Sequence, residues 1–231
     1  MAYKTNLGGV DATFNNMMSE NGFGIVTVMN ADIYPAMSAE DYAKKTAYDI
    51  VTNPGTKICT LDTLKVANVT MEGPSKTITG GRYSNPLIKF GKSARLEMQD
   101  ALGNAKAIEA LCGAVQEWNE ETTTPESGDP VTTKDLVGLH FGEDFVGPKM
   151  IIGDTFFMDR KSGQQVKVKI VFYQFLPDSI FNLTQDAEGD ATVFDMNGDL
   201  LTTEIKVANA PDGVHGLFYS IVDPNHTPVT Q

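Results

Sequence analysis

Apolar and polar positions alternate most regularly between Pro86 and Gln99. Ile88, Phe90, Ala94, Leu96 and Met98 fall on one side, and Lys89, Gly91, Ser93, Arg95, Glu97 and Gln99 on the other. A period of two belongs to a strand with one wet face. At ~3.3 Å per residue this strand would run roughly 45 Å, beyond the usual length. Lys92 is the one charge on its apolar side. Asp100 and Asn104 are cap-type residues. Ile108, Leu111, Cys112 and Val115 then recur at helical spacing before and across Gly113, which predicts a short helix lying over a sheet.

The same grammar extends in both directions. Residues 1–22 are polar and rich in Gly and Asn, an arm that orders on a neighbour or frays. Phe23–Asn30 predicts a short strand. Ser38 with Asp41 starts a helix whose inner face is Tyr42, Thr46, Ala47 and Ile50, and Asn53-Pro54-Gly55 stops it. Ile58–Glu72 predicts the next strand region, and Gly73-Pro74 and Gly80-Gly81 punctuate the chain around Thr77-Ile78-Thr79. Met150–Met158 is apolar on both sides, as in a central strand. Asp159–Gly163 closes a hairpin onto a strand in which Val166, Val168, Ile170 and Phe172 alternate with Lys167 and Lys169, ending at Pro177. Ala191–Met196 and Asp199–Val207 flank Asn197-Gly198, the preferred two-residue hairpin turn. Gly216–Val222 predicts a last strand, and 223–231 form a tail. The whole is one mainly β domain over 1–231, a sandwich or barrel of about eight strands with one or two short flanking helices.

One stretch breaks the pattern. Residues 117–135 lack apolar periodicity, hold Pro125 and Pro130, and are strongly acidic. This predicts a long exposed loop leaving a single domain. Charge is uneven along the chain as a whole. Of a net −12, Glu117 to Asp144 contributes eight carboxylates against Lys134 alone, and Asp178 to Asp199 six with no base. Basic residues gather on predicted strands: Lys89, Lys92, Arg95, Arg160, Lys161, Lys167 and Lys169. Such a balance argues against tight nucleic-acid binding. It suits acidic loops meeting basic strands on another copy of the chain, which nominates Glu120, Glu121, Glu126 and Asp129 against Lys89, Arg95, Lys167 and Lys169.

At 41% hydrophobic and 21% charged, the 231 residues are globular in composition. No apolar run reaches the ~20 residues of a membrane span, and the N-terminus lacks a signal-peptide core, so a cytoplasmic site of synthesis is expected. Cys59 and Cys112 sit among apolar neighbours, as free buried thiols do.

Catalytic and ligand motifs are weak throughout. Phe90-Gly91-Lys92-Ser93 resembles the end of a phosphate loop, but Pro86 stands where that loop needs glycine. Asp195–Asp199 begins like a calcium loop, but Leu200 and Lys206 occupy the positions that need Gly and Glu. Asp186–Asp190 has carboxylates enough to meet a cation, though a solvated loop has the same composition. His140, His215 and His226 lack second ligands at metal spacing. No enzyme activity, metal or cofactor is expected.

Two segments together resemble bacteriophage tail tube (major tail) proteins. One runs from Asn85-Pro86-Leu87-Ile88-Lys89-Phe90-Gly91-Lys92 through Glu97–Asn104 to Ile108–Ala114. The other is Gly189–Leu201, after Tyr173-Gln174-Phe175-Leu176-Pro177. The resemblance implies a β-barrel or sandwich subunit with a flanking helix, packed into rings, usually of six. Such rings stack into the tube through which DNA leaves the virion; type VI secretion tube proteins are similar in fold. It further implies a virion tail location after assembly in the host cytoplasm. Its implied partners are the chain itself and tail sheath, terminator and baseplate proteins, with DNA only in transit and no membrane. The family has no catalytic residues to carry over, and its stacking loop best matches Glu117–Lys134 by position and character. Another virion component (terminator, baseplate or decoration protein) and a β-sandwich ligand-binding module using Tyr34, Tyr83, Trp118 and Tyr219 are the alternatives.

Overall fold

The computed structural model describes residues 5–7, 10–12, 23–62, 64–73, 75–77, 87–89, 93–100, 104–124, 128–159, 163, 165–180, 182–184, 193–206, 214 and 216–219. The protein is mainly β, as the pattern predicts. Seven antiparallel strands form one path across the main sheet. In spatial order they are β4 (Cys59–Leu61), β3 (Phe23–Pro35), β11 (Lys149–Asp159), β12 (Gln165–Pro177), β14 (Val193–Leu201), β8 (Ser93–Asp100) and β5 (Leu64–Glu72). Off this path, β13 (Asn182–Thr184) pairs with β14 and β15 (Gly216–Tyr219) with β12. Two-stranded pairs are β1 (Thr5–Leu7) with β2 (Val10–Ala12), β6 (Ser75–Thr77) with β7 (Leu87–Lys89), and β9 (Ala114–Thr123) with β10 (Val131–Phe141). Among the described residues three helices accompany them: α1 (Ala39–Lys44), α2 (Ala47–Thr52) and α3 (Ala105–Cys112).

The main sheet curls so that its ends approach, and β5 packs against β3 without closing a ladder. Among the described residues the barrel stays open. Inside the curl, Ile33, Leu61 and Ile151 from one end meet Leu96, Met98 and Leu200 from the other, with Phe175 between. Helix α3 presses Ala107, Leu111 and Cys112 into this core. Behind β3, β11 and β12 lies a second core of Tyr34, Met150, Ile152, Val171 and Tyr173, covered by Tyr42 of α1 and by Ile50 and Val51 of α2. Both faces of β11 are therefore dry over Met150–Ile152, which is why its sequence there is apolar without alternation. The Tyr42 hydroxyl donates to the Tyr173 carbonyl at 2.5 Å, tying α1 to the sheet.

Several elements differ from expectation. The strand predicted over Pro86–Gln99 is two strands in two sheets: β7 pairs with β6, and β8 lies between β14 and β5. Residues 90–92 between them lie outside the described residues. The alternation survives in β8, where Ala94, Leu96 and Met98 are buried. Asp100 ends that strand as a buried residue, and Asn104 alone caps α3. The single helix expected after Ser38 is two, because Lys45 is extended and Thr46 restarts the helix in a reciprocal capping box with Asp49. The first strand runs five residues beyond Asn30 to Pro35, and the Ile58–Glu72 region is two strands at opposite borders of the sheet.

The Asn197-Gly198 hairpin is absent. β14 runs straight through both residues, pairing Asn197 with Glu97 and Gly198 with both Leu96 and Pro177. Extended pairing with β8 on one side and β12 on the other overrides the local turn preference. Glycine is needed there for a different reason: a Cβ would stand 2.3 Å from the Leu176 carbonyl oxygen and 2.7 Å from the Phe175 ring.

Cys59 and Cys112 are buried and unpaired. Burial, reinforced by Asp32, pushes the Cys59 thiol up to about 11, and burial raises Cys112. A folded-state value above the unfolded one means that the Cys59 contribution to stability is complete below about pH 9. It is lost as pH rises through about 11. Urea midpoints should therefore fall across this alkaline window, and Cys59→Ala should flatten that fall; an unchanged slope refutes it. Both thiols should resist Ellman's reagent at neutral pH until the chain unfolds.

Candidate functional site

Helix α3 ends at Gly113, whose φ of 71° turns the chain sharply into β9. A Cβ at Gly113 would come 2.9 Å from the Asp144 carbonyl oxygen, so the positive φ and the tight contact both call for glycine. Val115, expected on the helix, is thereby placed in β9. From Ala114, paired with Phe141, β9 and β10 leave the domain as a long antiparallel ribbon reaching to Thr123 and Val131. The acidic stretch 117–135 is thus a hairpin, which corrects the loop expectation.

Thr122, Thr123, Val131, Thr132 and Thr133 are β-branched and favour extended backbone. Pro130 falls beyond the last rung, Thr123 with Val131, where no ladder N–H is lost, and Pro125 lies outside the described residues. No apolar alternation is required, because nearly every residue of the ribbon is exposed on both faces.

Cross-strand pairs organise the two faces. On one, Trp118 lies opposite Leu136, the Lys134 ammonium bonds Glu120, and the Thr122 and Thr132 hydroxyls meet at 3.1 Å. On the other, His140 Nε2 lies 2.6 Å from Glu117, and Glu121 and Asp135 stand exposed. A register shift between Leu136 and Gly138 leaves Val137 bulged outward and 58% exposed. Trp118 and Phe141 are about half exposed, and Phe145 just beyond is 87% exposed. An isolated two-stranded hairpin is marginal in water, and one with this much bare apolar surface has the character of a contact element.

Of the acids nominated from sequence, Glu120 is engaged with Lys134 and Glu121 is exposed on the opposite face. Asp129 is exposed beside the tip, and Glu126 lies outside the described residues. Of the bases, Arg95 on β8 bridges Asp178 and Asp199 of its own chain, with 3.3 Å to Asp199. Lys169 pairs with Asp154 at 2.7 Å, across the β11–β12 ladder. Lys89 lies on β7 and Lys167 on β12, and their side chains are outside the described residues. Among the described residues, the acids and bases nominated as partners are not brought together within one chain. Part of the expected match of acidic loops to basic strands is met internally, because Asp178 and Asp199 answer Arg95.

The apolar members of the ribbon, Leu136, Val137 and Phe141, were not singled out by sequence. The β-branched run around the tip was the signal that could have found them. Among the described residues no group of His, Cys, Asp and Glu is arranged to hold a metal ion. No described helix is long and apolar enough to cross a membrane. Asp186–Asp190, His215 and His226 lie outside the described residues. No protein-family model matches this chain, and no curated protein matches it.

Proposed function

We propose that this chain is a structural subunit that assembles with copies of itself into stacked rings, as the tail tube of a bacteriophage does. The observation that carries the reading is the β9–β10 ribbon. It projects from a well-packed domain with Trp118, Leu136 and Val137 in solvent, and it gains most by burial against another subunit. Support comes also from β5, a border strand of nine residues with Val69 and Met71 exposed. A border strand is a template for pairing with a neighbour, and head-to-tail pairing closes into a ring.

The net charge of −12 fits a conduit for DNA. Carboxylates facing a lumen repel phosphate, and the passing polyanion is not held by counterion release. The two segments Asn85–Ala114 and Gly189–Leu201 supply the resemblance to tail tube proteins.

Negative-stain microscopy of the purified full chain at high concentration should show rings or tubes, and native mass spectrometry should show a ring-sized oligomer. A strict monomer in both, even after addition of a nucleating tail-tip complex, would overturn the reading.

A further inference from the structure

At the base of the ribbon lies an open groove of about 530 Å³ between α3, β9 and the start of β11. Ile58, Ala110, Val115 and Trp118 give it apolar walls, and Lys106 and Lys149 line it with two ammonium groups. Neither lysine pairs with a described carboxylate. Glu109, also on the wall, is engaged by the Gln116 side-chain amide at 2.6 Å. Burial without a counter-charge holds the Lys149 ammonium pKa below the usual lysine range. The groove therefore carries a net positive charge, two ammonium groups against the single Glu109 carboxylate, over an apolar floor.

The ribbon carries the complement. Glu121 and Asp135 are exposed on one face of its outer half, neither ion-paired to a described base, and Val131 stands beside them. Glu121 lies three residues beyond Trp118, the outermost residue of the groove wall, on the order of 10 Å at ~3.4 Å per residue. Asp135, opposite Asn119, stands on the ribbon face that Trp118 does not share. The acids are thus carried outward and away from the groove of their own chain.

We infer that the groove receives the outer half of the β9–β10 ribbon of a second copy of this chain, with Lys106 and Lys149 meeting Glu121 and Asp135. This rests on the self-assembly reading and gives its stacking contact a receiving site. The contact is heterologous, because tip and groove are different surfaces, so it leaves one of each unsatisfied on every added copy. A contact of that kind, where its rotation does not close a ring, adds copy after copy along the ribbon direction.

Charge reversal with mixing tests it. Subunits with Lys106→Glu and Lys149→Glu carry an acidic groove and an acidic ribbon. Subunits with Glu121→Lys and Asp135→Lys carry a basic groove and a basic ribbon. Each alone should lose stacking, with the stacked fraction in sedimentation velocity falling roughly tenfold or more at low salt. An equimolar mixture should recover it as an alternating polymer, since each ribbon then meets an opposite groove. Lys149 is partly buried, so Lys106→Glu alone, on the exposed side of α3, serves as the arm that leaves folding intact.

If wild type stacks and the reversed variants stack equally well, or the mixture fails to recover, the groove is not the receiving site although self-assembly stands. If wild type itself forms neither ring nor stack, the self-assembly reading falls first.

Discussion

Replacing Gly198 with valine should leave no cooperatively folded protein at room temperature, and Gly198→Ala should cost about 1–3 kcal/mol or more in urea denaturation. The atoms a Cβ would strike are the Leu176 carbonyl oxygen, at 2.3 Å, and the ring of Phe175, at 2.7 and 2.8 Å. Neither can give way cheaply. The carbonyl belongs to the backbone of β12 beside its pairing with β14, and Phe175 is fully buried in the core inside the curl. Movement of either would open the seam joining the two halves of the main sheet.

Asn197→Thr distinguishes this account from a turn. In a two-residue hairpin turn a β-branched residue at positive φ is costly; in a straight strand opposite Glu97 it should change stability by no more than about 0.5 kcal/mol. A large loss from Asn197→Thr with little from Gly198→Ala would reverse the assignment.

The second large effect concerns the ribbon. Substituting Asn-Gly for Asn119–Asp135, which removes Glu121 and Asp135 with the tip, joins Trp118 to Leu136, which already face each other across the ladder. The trimmed chain should keep the wild-type urea midpoint within about 0.5 kcal/mol, because the ribbon buries little in its own subunit. Stacking should be abolished, while lateral association through the β5 border persists as single rings. Trp118→Ala with Leu136→Ala should act in the same direction at full ribbon length. Normal tubes from the trimmed chain would remove the ribbon from the assembly contact.

The sequence was most legible where burial is one-sided or complete. Ala94, Leu96 and Met98 alternate because one face of β8 meets the core, and Met150–Ile152 are uniformly apolar because both faces of β11 are covered. Cap-type Asn104 marked the start of α3 correctly, while the helical spacing carried the expected helix past Gly113 to Val115, beyond its actual end at Cys112. It was least legible where local preference and tertiary pairing disagree. Asn197-Gly198 has turn chemistry but is held extended by two neighbouring strands that no local window contains.

The ribbon failed for the opposite reason. Periodicity reports burial, and an element with neither face buried in its own chain has none to report. The candidate surface was half visible: the acids lie on the ribbon, but the intrachain pairing of Arg95 with Asp178 and Asp199, and of Lys169 with Asp154, depends on strand order.

The rung joining Ala114 to Phe141 has one further consequence. Since both strands depart the domain at a single shared point, whatever lies beyond can lengthen, shorten or be exchanged in matched pairs of residues without disturbing what lies below. A foreign epitope or fluorescent tag grafted at the far end would be displayed at arm's length from an unaltered scaffold.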